Sequence, residues 1–472
     1  MSDPIDHPYS VPQTNGAEVT HAEGRDARPS DHAVFGASSA SIWMNCPGMY
    51  GLLEHARATG AVPAQDTSGV YAREGSAAHE VIEGALLDLF TTSLPDGTER
   101  SVALYSPSVA KTHHVTVSDP QEFADATKTC IDHVLAMWNQ PSGSPRAIGI
   151  ENTFNLNALY DLYGDYLAND PEVLARDHPL FGTGDISMVQ GDTGTVIDYK
   201  HGAGVPVDAK DNPQLKYYAL GMLLAEEAKG RKLRTVEAHI VQPRAAHADG
   251  QAIRETTFTR DELFEFGLEV VLAVDKAVGK PETFNPGPWC RFCKAVQAPC
   301  PAIVERARAA AKASFGDIDD APQDKDGAES MARAMSNDEL AGELERVEAF
   351  RGWIKAVGAA ASHRIKTGQT IPGYKAVRGR SPRKWGNPQE VADVVRQWGF
   401  SETLINDVPL TPAQMEKLAK RNPTVKGAFD DLVQGDYLRQ AEGAITYAPE
   451  DDPRPAVNPA AESFGELDED DY

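Results

Sequence analysis

The segment GTGDISMVQGDTGTVIDYK, running from Gly182 to Lys200, constrains the fold more than any other stretch of the chain. Apolar and polar residues alternate on both sides of a Gly-Asp-Thr-Gly turn, and a period of two marks a β-hairpin with one face turned to a core. With residues 191–194 as the turn, Gln190 pairs with Thr195, Ser187 with Asp198 and Asp185 with Lys200. Directly opposed residues share a face. Ile186, Met188, Ile197 and Tyr199 then line the apolar side, while Asp185, Asp198 and Lys200 meet on the other, which is expected to be solvated. Two adjacent carboxylates repel, and a divalent cation held through oxygen ligands relieves the repulsion. A lysine two residues beyond the second aspartate can stabilise charge developing on a phosphate. The set suits metal-assisted phosphodiester hydrolysis. For the D-x-K triplet alone, a surface salt-bridge cluster is the competing reading.

Helix and strand signals alternate around the hairpin. Val81, Ile82, Ala85, Leu86 and Leu89 recur at helical spacing, AIGIENTF and TVEAHIVQP read as strands, and Asn212-Pro213 opens a helix that Gly230 ends. Thr259 with Glu262, and Ser336 with Glu339, form capping boxes for two more helices, the second reaching about residue 366. Residues 1–34 are polar and are expected to be disordered. An α/β region follows over 35–312, then an acidic linker (313–335), a helical and basic region (336–447) and an acidic, disordered tail (448–472). There is no signal-peptide pattern and no apolar run of membrane-spanning length, so a cytoplasmic protein is expected.

The formal charge of -25 argues against a nucleic-acid partner until it is located. Residues 314–330 carry six acids and one base, and residues 448–472 carry nine acids and one base. Residues 351–389 carry nine Lys or Arg and no acid. Within that stretch Arg378, Arg380, Arg383 and Lys384 surround Trp385, a composition that suits a path for single-stranded DNA, with cations on phosphates and the indole on a base. A solvated basic arm is the equal alternative.

Four motifs stand in order along the first 300 residues: Gly75-x-x-x-His79, Gly184-Asp185, Asp198-Tyr199-Lys200 and Gln214-x-x-x-Tyr218. In this order they resemble the RecB-like branch of the PD-(D/E)XK nuclease superfamily. The resemblance implies an α/β fold of restriction-endonuclease-like type, a mixed sheet flanked by helices, with an N-terminal helical region and a mostly helical C-terminal region. It implies that His79, Asp185 and Asp198, with the Tyr199 carbonyl, hold Mg or Mn, that Lys200 is the catalytic lysine, and that Gln214 and Tyr218 contact DNA or support the site. The acid before Lys200 is Asp where Glu is commoner. Glu83 and Glu151 read as solvated acids that could serve as auxiliary groups.

Three of the five cysteines lie in WCRFCKAVQAPC as Cys290, Cys293 and Cys300, and Cys46 lies far upstream in NCPG. Close thiols in a cytoplasmic chain point to a metal. Structural zinc is one candidate. The three-plus-one spacing around the nuclease motifs is similar to that of the iron-sulfur RecB-like nucleases, which include CRISPR-associated exonucleases and the AddB subunit; that likeness implies a [4Fe-4S] cluster on Cys46, Cys290, Cys293 and Cys300. Closing so long a loop would remove roughly 4–5 kcal/mol of unfolded-state entropy. Cys130 reads as a core residue. The whole chain also resembles a bacteriophage and prophage protein family, which implies work in phage replication or recombination within the host-cell cytoplasm. The expected activity is that of an Mg- or Mn-dependent exonuclease on single-stranded DNA or duplex ends. A catalytically idle DNA-binding accessory protein and a structure-specific endonuclease are the alternatives.

Overall fold

The computed structural model describes residues 3–10, 12, 16–21, 33–58, 70–92, 99–117, 119–140, 146–247, 250–293, 300–315, 325–379, 383–400, 403–405, 408–435, 437–439, 443 and 445–458. It divides into two compact units, Met1–Gly352 and Trp353–Tyr472.

The first unit is built on a six-stranded mixed sheet. Its strands are β2 (Glu18–His21), β4 (Arg146–Asn155), β5 (Phe181–Gln190), β6 (Thr193–Tyr199), β7 (Thr235–Val241) and β8 (Ile253–Thr259), in that spatial order. β2 runs parallel to β4 and β6 parallel to β7, while the other neighbours are antiparallel. A separate antiparallel pair joins β1 (Ile5–Ser10) to β3 (Glu99–Tyr105). The helices are α1 (Ala40–Trp43), α2 (Gly48–Ala58), α3 (Val70–Thr91), α4 (Pro107–Thr112), α5 (Pro120–Trp138), α6 (Ala158–Leu162), α7 (Pro171–Asp177), α8 (Pro213–Ala228), α9 (Arg260–Gly279), α10 (Pro301–Phe315), α11 (Lys325–Ala334) and α12 (Asn337–Lys366). The capping signals hold: the Asn212 side chain accepts from Gln214 and Leu215, and Thr259 and Glu262 close a reciprocal box.

Both faces of the sheet are covered. On one, Ile148, Ile150, Ile186, Met188, Ile197 and Tyr199 pack with Leu86 of α3 and Ile131 of α5. On the other, Val189, Val196, Val236 and Ile240 pack with Trp43, Leu220 of α8 and Val270 of α9. This corrects the expectation of a solvated hairpin face.

Part of the segment 1–34 is ordered, contrary to expectation. β1 and β2 each pair with a longer strand, Tyr9 is buried, and Ile5 and Val19 pack against the same core. Residues 1–2, 11, 13–15 and 22–32 lie outside the described residues. The boundary between the units falls inside α12 and not in the acidic segment, where α11 is helical and residues 316–324 lie outside the described residues.

The second unit holds β9 (Tyr374–Arg378), β10 (Lys384–Trp385), α13 (Pro388–Gln397), β11 (Leu404–Ile405), β12 (Val408–Pro409), α14 (Pro412–Ala419), α15 (Pro423–Gln434), β13 (Leu438–Arg439) and β14 (Ile445–Pro449). Three two-stranded pairs, β9 with β14, β10 with β13 and β11 with β12, accompany its helices. β14 thus enters the segment expected to be a disordered tail; residues 459–472 lie outside the described residues. Among the described residues no helix is long and apolar enough to cross a membrane.

α8 lies so close to the sheet that a Cβ on Gly221 would stand 2.5 Å from Phe154 Cβ and 3.0 Å from Leu156 Cδ1. Phe154 Cβ is fixed to the backbone, and the Leu156 methyl is held in a fully buried side chain. Gly221→Ala is therefore expected to destabilise the fold by about 1–3 kcal/mol through overpacking, outweighing the ~1 kcal/mol that alanine gains in a helix. A melting midpoint equal to or above that of the wild type would contradict this packing.

Candidate active site

The hairpin turn is tighter than its sequence suggests. Gln190 pairs with Thr193, Met188 with Thr195 and Ile186 with Ile197, leaving Gly191 (φ 64°) and Asp192 as a two-residue turn. The observed register differs from the expected one by two residues, a full period of the strand, so each side chain keeps its face. One step past the last bonded pair, Asp185 stands across from Asp198.

Two groups of side chains meet there. In the first, His79 Nδ1 lies 3.4 Å from Asp185 Oδ2 and 3.9 Å from Glu151 Oε1. Ligand atoms of these three residues lie within 4.8 Å of one another. Asp185 Oδ2 also accepts a 2.7 Å hydrogen bond from the Tyr199 backbone N–H. His79, Glu151, Asp185 and Tyr199 line a cavity of about 10 Å³, the space of about one water molecule.

In the second group, Lys200 Nζ lies 2.7 Å from Asp198 Oδ2 and donates to Gln214 Oε1 at 2.9 Å. Gln214 Nε2 in turn donates to Asp198 Oδ1 at 3.0 Å and to Tyr218 Oη at 3.2 Å. Every residue of the four motifs except Gly75 and Gly184 thus joins one of the two groups. The glycine Gly184 serves by absence: a Cβ there would meet Phe154 at 3.1 Å and the Tyr218 ring at 3.6 Å.

The charges are set by burial and by each other. Asp198 is 2% exposed, and burial raises its pKa, with Lys200 opposing and Asp185 adding to the rise. At Asp185 burial pushes the same way, but the charge and hydrogen bond of His79, the Lys200 charge and the Tyr199 N–H together outweigh it and hold this carboxyl below its ordinary value. Burial alone would lower the His79 pKa, yet Asp185 and then Glu151 carry it up to about 9.

Glu151, which the sequence offers as a solvated acid or an auxiliary group, joins the first group. Its backbone sits at φ 51°, a left-handed conformation that costs a non-glycine residue about 1 kcal/mol or more and persists only where the surroundings enforce it. Before it, Ile148 and Ile150 face the α3 and α5 core; after it, Phe154 faces the α8 core. The strand changes phase at Glu151, and the carboxylate turns toward His79 as a result. Glu83 also lines the cavity, with its Oε1 2.7 Å from His21 Nε2.

A buried chain of polar groups behind the site also went unread. Tyr199 Oη lies 2.8 Å from His201 Nδ1, His201 Nε2 3.2 Å from Glu74, and Arg244 donates to Glu74 at 3.1 Å. Burial, followed by the Arg244 charge, lowers the His201 pKa to about 4, so the ring is neutral near pH 7. The available signal was spacing: Tyr199 and His201 share a face of the extended chain, and Glu74 precedes Gly75.

The cysteine segments come together from the two ends of the α/β region. Cys46 Sγ accepts from Asn285 N at 3.5 Å, Asn285 Nδ2 donates to the Asn45 carbonyl at 3.1 Å, and Gly48 N donates to Thr283 O at 2.7 Å. Cys290 Sγ accepts from Gly287 N at 3.4 Å. Burial raises the Cys300 pKa, helped by the neighbouring thiols of Cys46 and Cys290. Cys293 packs against the same core as Cys46. Residues 294–299 lie outside the described residues. Cys130 is fully buried beneath α3, as expected of a core residue.

In the basic segment, the expectation that Trp385 stacks on a base is corrected. Trp385 is buried, donates from Nε1 to Leu410 O at 2.7 Å and meets Phe429 edge to face. A side chain so placed cannot stack on a base. Arg383 is paired with Glu416 of α14, an acid distant in sequence. Arg378 donates to Gly443 O at 3.3 Å. Lys384 is exposed opposite Arg439 in the β10–β13 pair, and Arg380 lies outside the described residues.

The profile of a family described as "Protein of unknown function (DUF2800)" matches residues 32–455. The chain belongs to that family. The match to DUF2800 takes in the hairpin, His79, Gln214, Cys46, Cys290, Cys293, Cys300 and most of the second unit.

Without a cation, the protonated His79 is bound more firmly in the folded than in the unfolded chain. This contribution to stability is complete below the ordinary pKa of 6.5 and is lost as pH rises through about 9. Denaturation of chelator-treated protein across pH 6.5–9 should therefore show stability falling with pH, and His79→Gln should flatten that fall. Equal slopes in both proteins would contradict the His79–Asp185 pairing.

Proposed function

We propose that the chain is an Mg- or Mn-dependent deoxyribonuclease of RecB-like PD-(D/E)XK type, acting as an exonuclease on single-stranded DNA or duplex ends. The observation that carries this reading is the convergence of four separated motifs: His79 from α3, Asp185 from β5, Asp198 and Lys200 from the end of β6, and Gln214 and Tyr218 from α8. A salt-bridge cluster on a surface hairpin would need neither the burial of Asp198 nor the hydrogen bonds of Gln214.

The donor set suits a hard divalent cation. Carboxylates from Asp185 and Glu151 and an imidazole from His79 offer ligation around a cavity sized for one small occupant, and Asp198, across the hairpin from Asp185, is the further acid the resemblance assigns to the cation. Such a cation, when bound, lowers the pKa of water and polarises a phosphoryl oxygen. The chain's own groups do the rest. Asp198 and Gln214 hold Lys200 where its ammonium can offset charge on a scissile phosphate, and Tyr218 fixes the Gln214 amide. Asp185 is oriented by the Tyr199 N–H and stays ionised.

The cysteines support a structural role for a [4Fe-4S] cluster held by Cys46, Cys290, Cys293 and Cys300, which would tie the segment before α2 to the segment after α9. Structural zinc on the same thiols is the alternative. The likeness of the whole chain to a bacteriophage and prophage protein family supports a role in phage replication or recombination.

Because Asp198 is buried, its isosteric variant is the informative one. Asp198→Asn and Lys200→Ala should each cut Mn-dependent cleavage of end-labelled single-stranded DNA by at least about a hundredfold, the scale of losing one charge-stabilising group. Circular and linear strands tested side by side separate endonuclease from exonuclease action. Cleavage at wild-type rates by both variants would remove the nuclease assignment from this site.

Protein purified without oxygen should be brown, with about four iron and four sulfide per chain. Stoichiometric zinc with no iron, in protein from iron-supplied cells, would reject the cluster in favour of zinc.

A further inference from the structure

Tyr199 touches the cation-facing groups in two ways. Its backbone N–H donates to Asp185 Oδ2 at 2.7 Å, and its ring meets the His79 imidazole edge to face with centroids 5.6 Å apart. The ring is buried and lines the one-water cavity. Whatever holds it is therefore coupled to two of the three residues whose ligand atoms cluster there. Its hydroxyl opens the buried line to His201, Glu74 and Arg244, none of which lines that cavity. We propose that Glu74, His201 and Arg244 are positioning residues for the cation site, acting through the Tyr199 hydroxyl on the His79 ring and the Asp185 carboxylate. This role rests on the reading of His79, Glu151 and Asp185 as cation ligands and goes beyond it, because it gives a task to three residues outside the donor set.

The line is anchored at its far end and tight along its length. The Arg244 guanidinium donates to Glu74 at 3.1 Å, to the His201 carbonyl at 3.4 Å and to Glu122 of α5 at 3.1 Å, so it grips α3, α5 and the residue after Lys200 at once. The Glu74 carboxylate, paired with Arg244, accepts from His201 Nε2, and Nδ1 of the neutral ring then accepts from the Tyr199 hydroxyl. Phe123 of α5 closes over the imidazole, with ring centroids 5.1 Å apart. Glu74, His201 and Tyr199 are each less than a tenth exposed, and a buried hydroxyl is costly to leave unpaired, so the Tyr199 ring has one favoured orientation.

One helix supplies both ends of the arrangement. Glu74 and His79 lie five residues apart on α3, about 7.5 Å along its axis, and the Tyr199 side chain is joined to the first through His201 and to the second through its ring. An ion pair that served only to fasten α3 to the sheet would be complete with Glu74 and Arg244. The imidazole and the hydroxyl add nothing to that pair, but they carry its constraint to the cavity.

The test is Mn binding to the full chain without DNA, measured by titration calorimetry. Glu74→Gln and Tyr199→Phe should each weaken binding about tenfold or more, the scale of losing a group that orients a metal ligand. Both changes break one line, so the double variant should bind no more weakly than the weaker single one. Melting without cation establishes that each variant is folded at the titration temperature. Asp275→Asn on α9, which replaces one of the acceptor oxygens serving Ala168 and Asn169, is the control for lost stability alone and should bind Mn as wild type does. Wild-type affinity in either Glu74→Gln or Tyr199→Phe, or an equal loss in Asp275→Asn, would overturn the positioning role. Cleavage assays on the wild type separate this role from the nuclease reading. Weakened Mn binding in variants of a chain that cuts no DNA would keep the role and remove the nuclease assignment, whereas a wild type that binds no Mn would overturn both.

Discussion

A carboxylate inside a sheet covered on both faces must be paired, and much of this unit is arranged around that requirement at Asp198. An isolated buried charge costs several kcal/mol even after relaxation. Lys200 supplies the countercharge from two residues away, and Gln214 fills the remaining acceptor position on Asp198 while accepting from Lys200. Gln214 can do so only because α8 starts at the Asn212 cap and lies close against the sheet, and that approach requires glycine at 221. The hydrogen bonds of one side chain thus account for the start, the depth and the glycine contact of an entire helix.

The opposite side of the site answers a different constraint. His79 comes from α3, on the other core, and can meet Asp185 only where β4 and β5 bring a carboxylate round to that side. The left-handed backbone at Glu151 marks the place where β4 changes phase. Two carboxylates and an imidazole are left together with a cavity of one-water size. In the absence of a cation the imidazolium neutralises them, which is why the His79 pKa lies so far above its ordinary value. A divalent cation would take over that role.

Behind both groups, the buried line from Tyr199 through His201 and Glu74 to Arg244 ties β6, α3 and the end of β7 together. Because His201 follows Lys200 directly, any movement of α3 against the sheet would be felt at the lysine. The contacts between residues 45–48 and 283–285 perform a comparable task at the other edge, joining segments more than two hundred residues apart. The metal proposed on Cys46, Cys290, Cys293 and Cys300 would brace the same framework.

The sequence alone determined the fold class, the helix caps at Asn212, Thr259 and Ser336, and the faces of the hairpin. These depend on local spacing, and an error of one full strand period in register leaves every face unchanged. It also picked out His79, Asp185, Asp198, Lys200, Gln214 and Tyr218, through the order of their motifs. Only the tertiary structure decided what surrounds them. Burial of Asp198, the turn of Glu151 toward His79, and the enclosure of Trp385 by Leu410 and Phe429 all depend on elements distant in the chain. A basic stretch with an aromatic looks the same in sequence whether its indole faces solvent or a core, because exposure is a property of what packs against a residue. Charge and periodicity are written locally; desolvation is not, and in this protein desolvation sets the chemistry of the site.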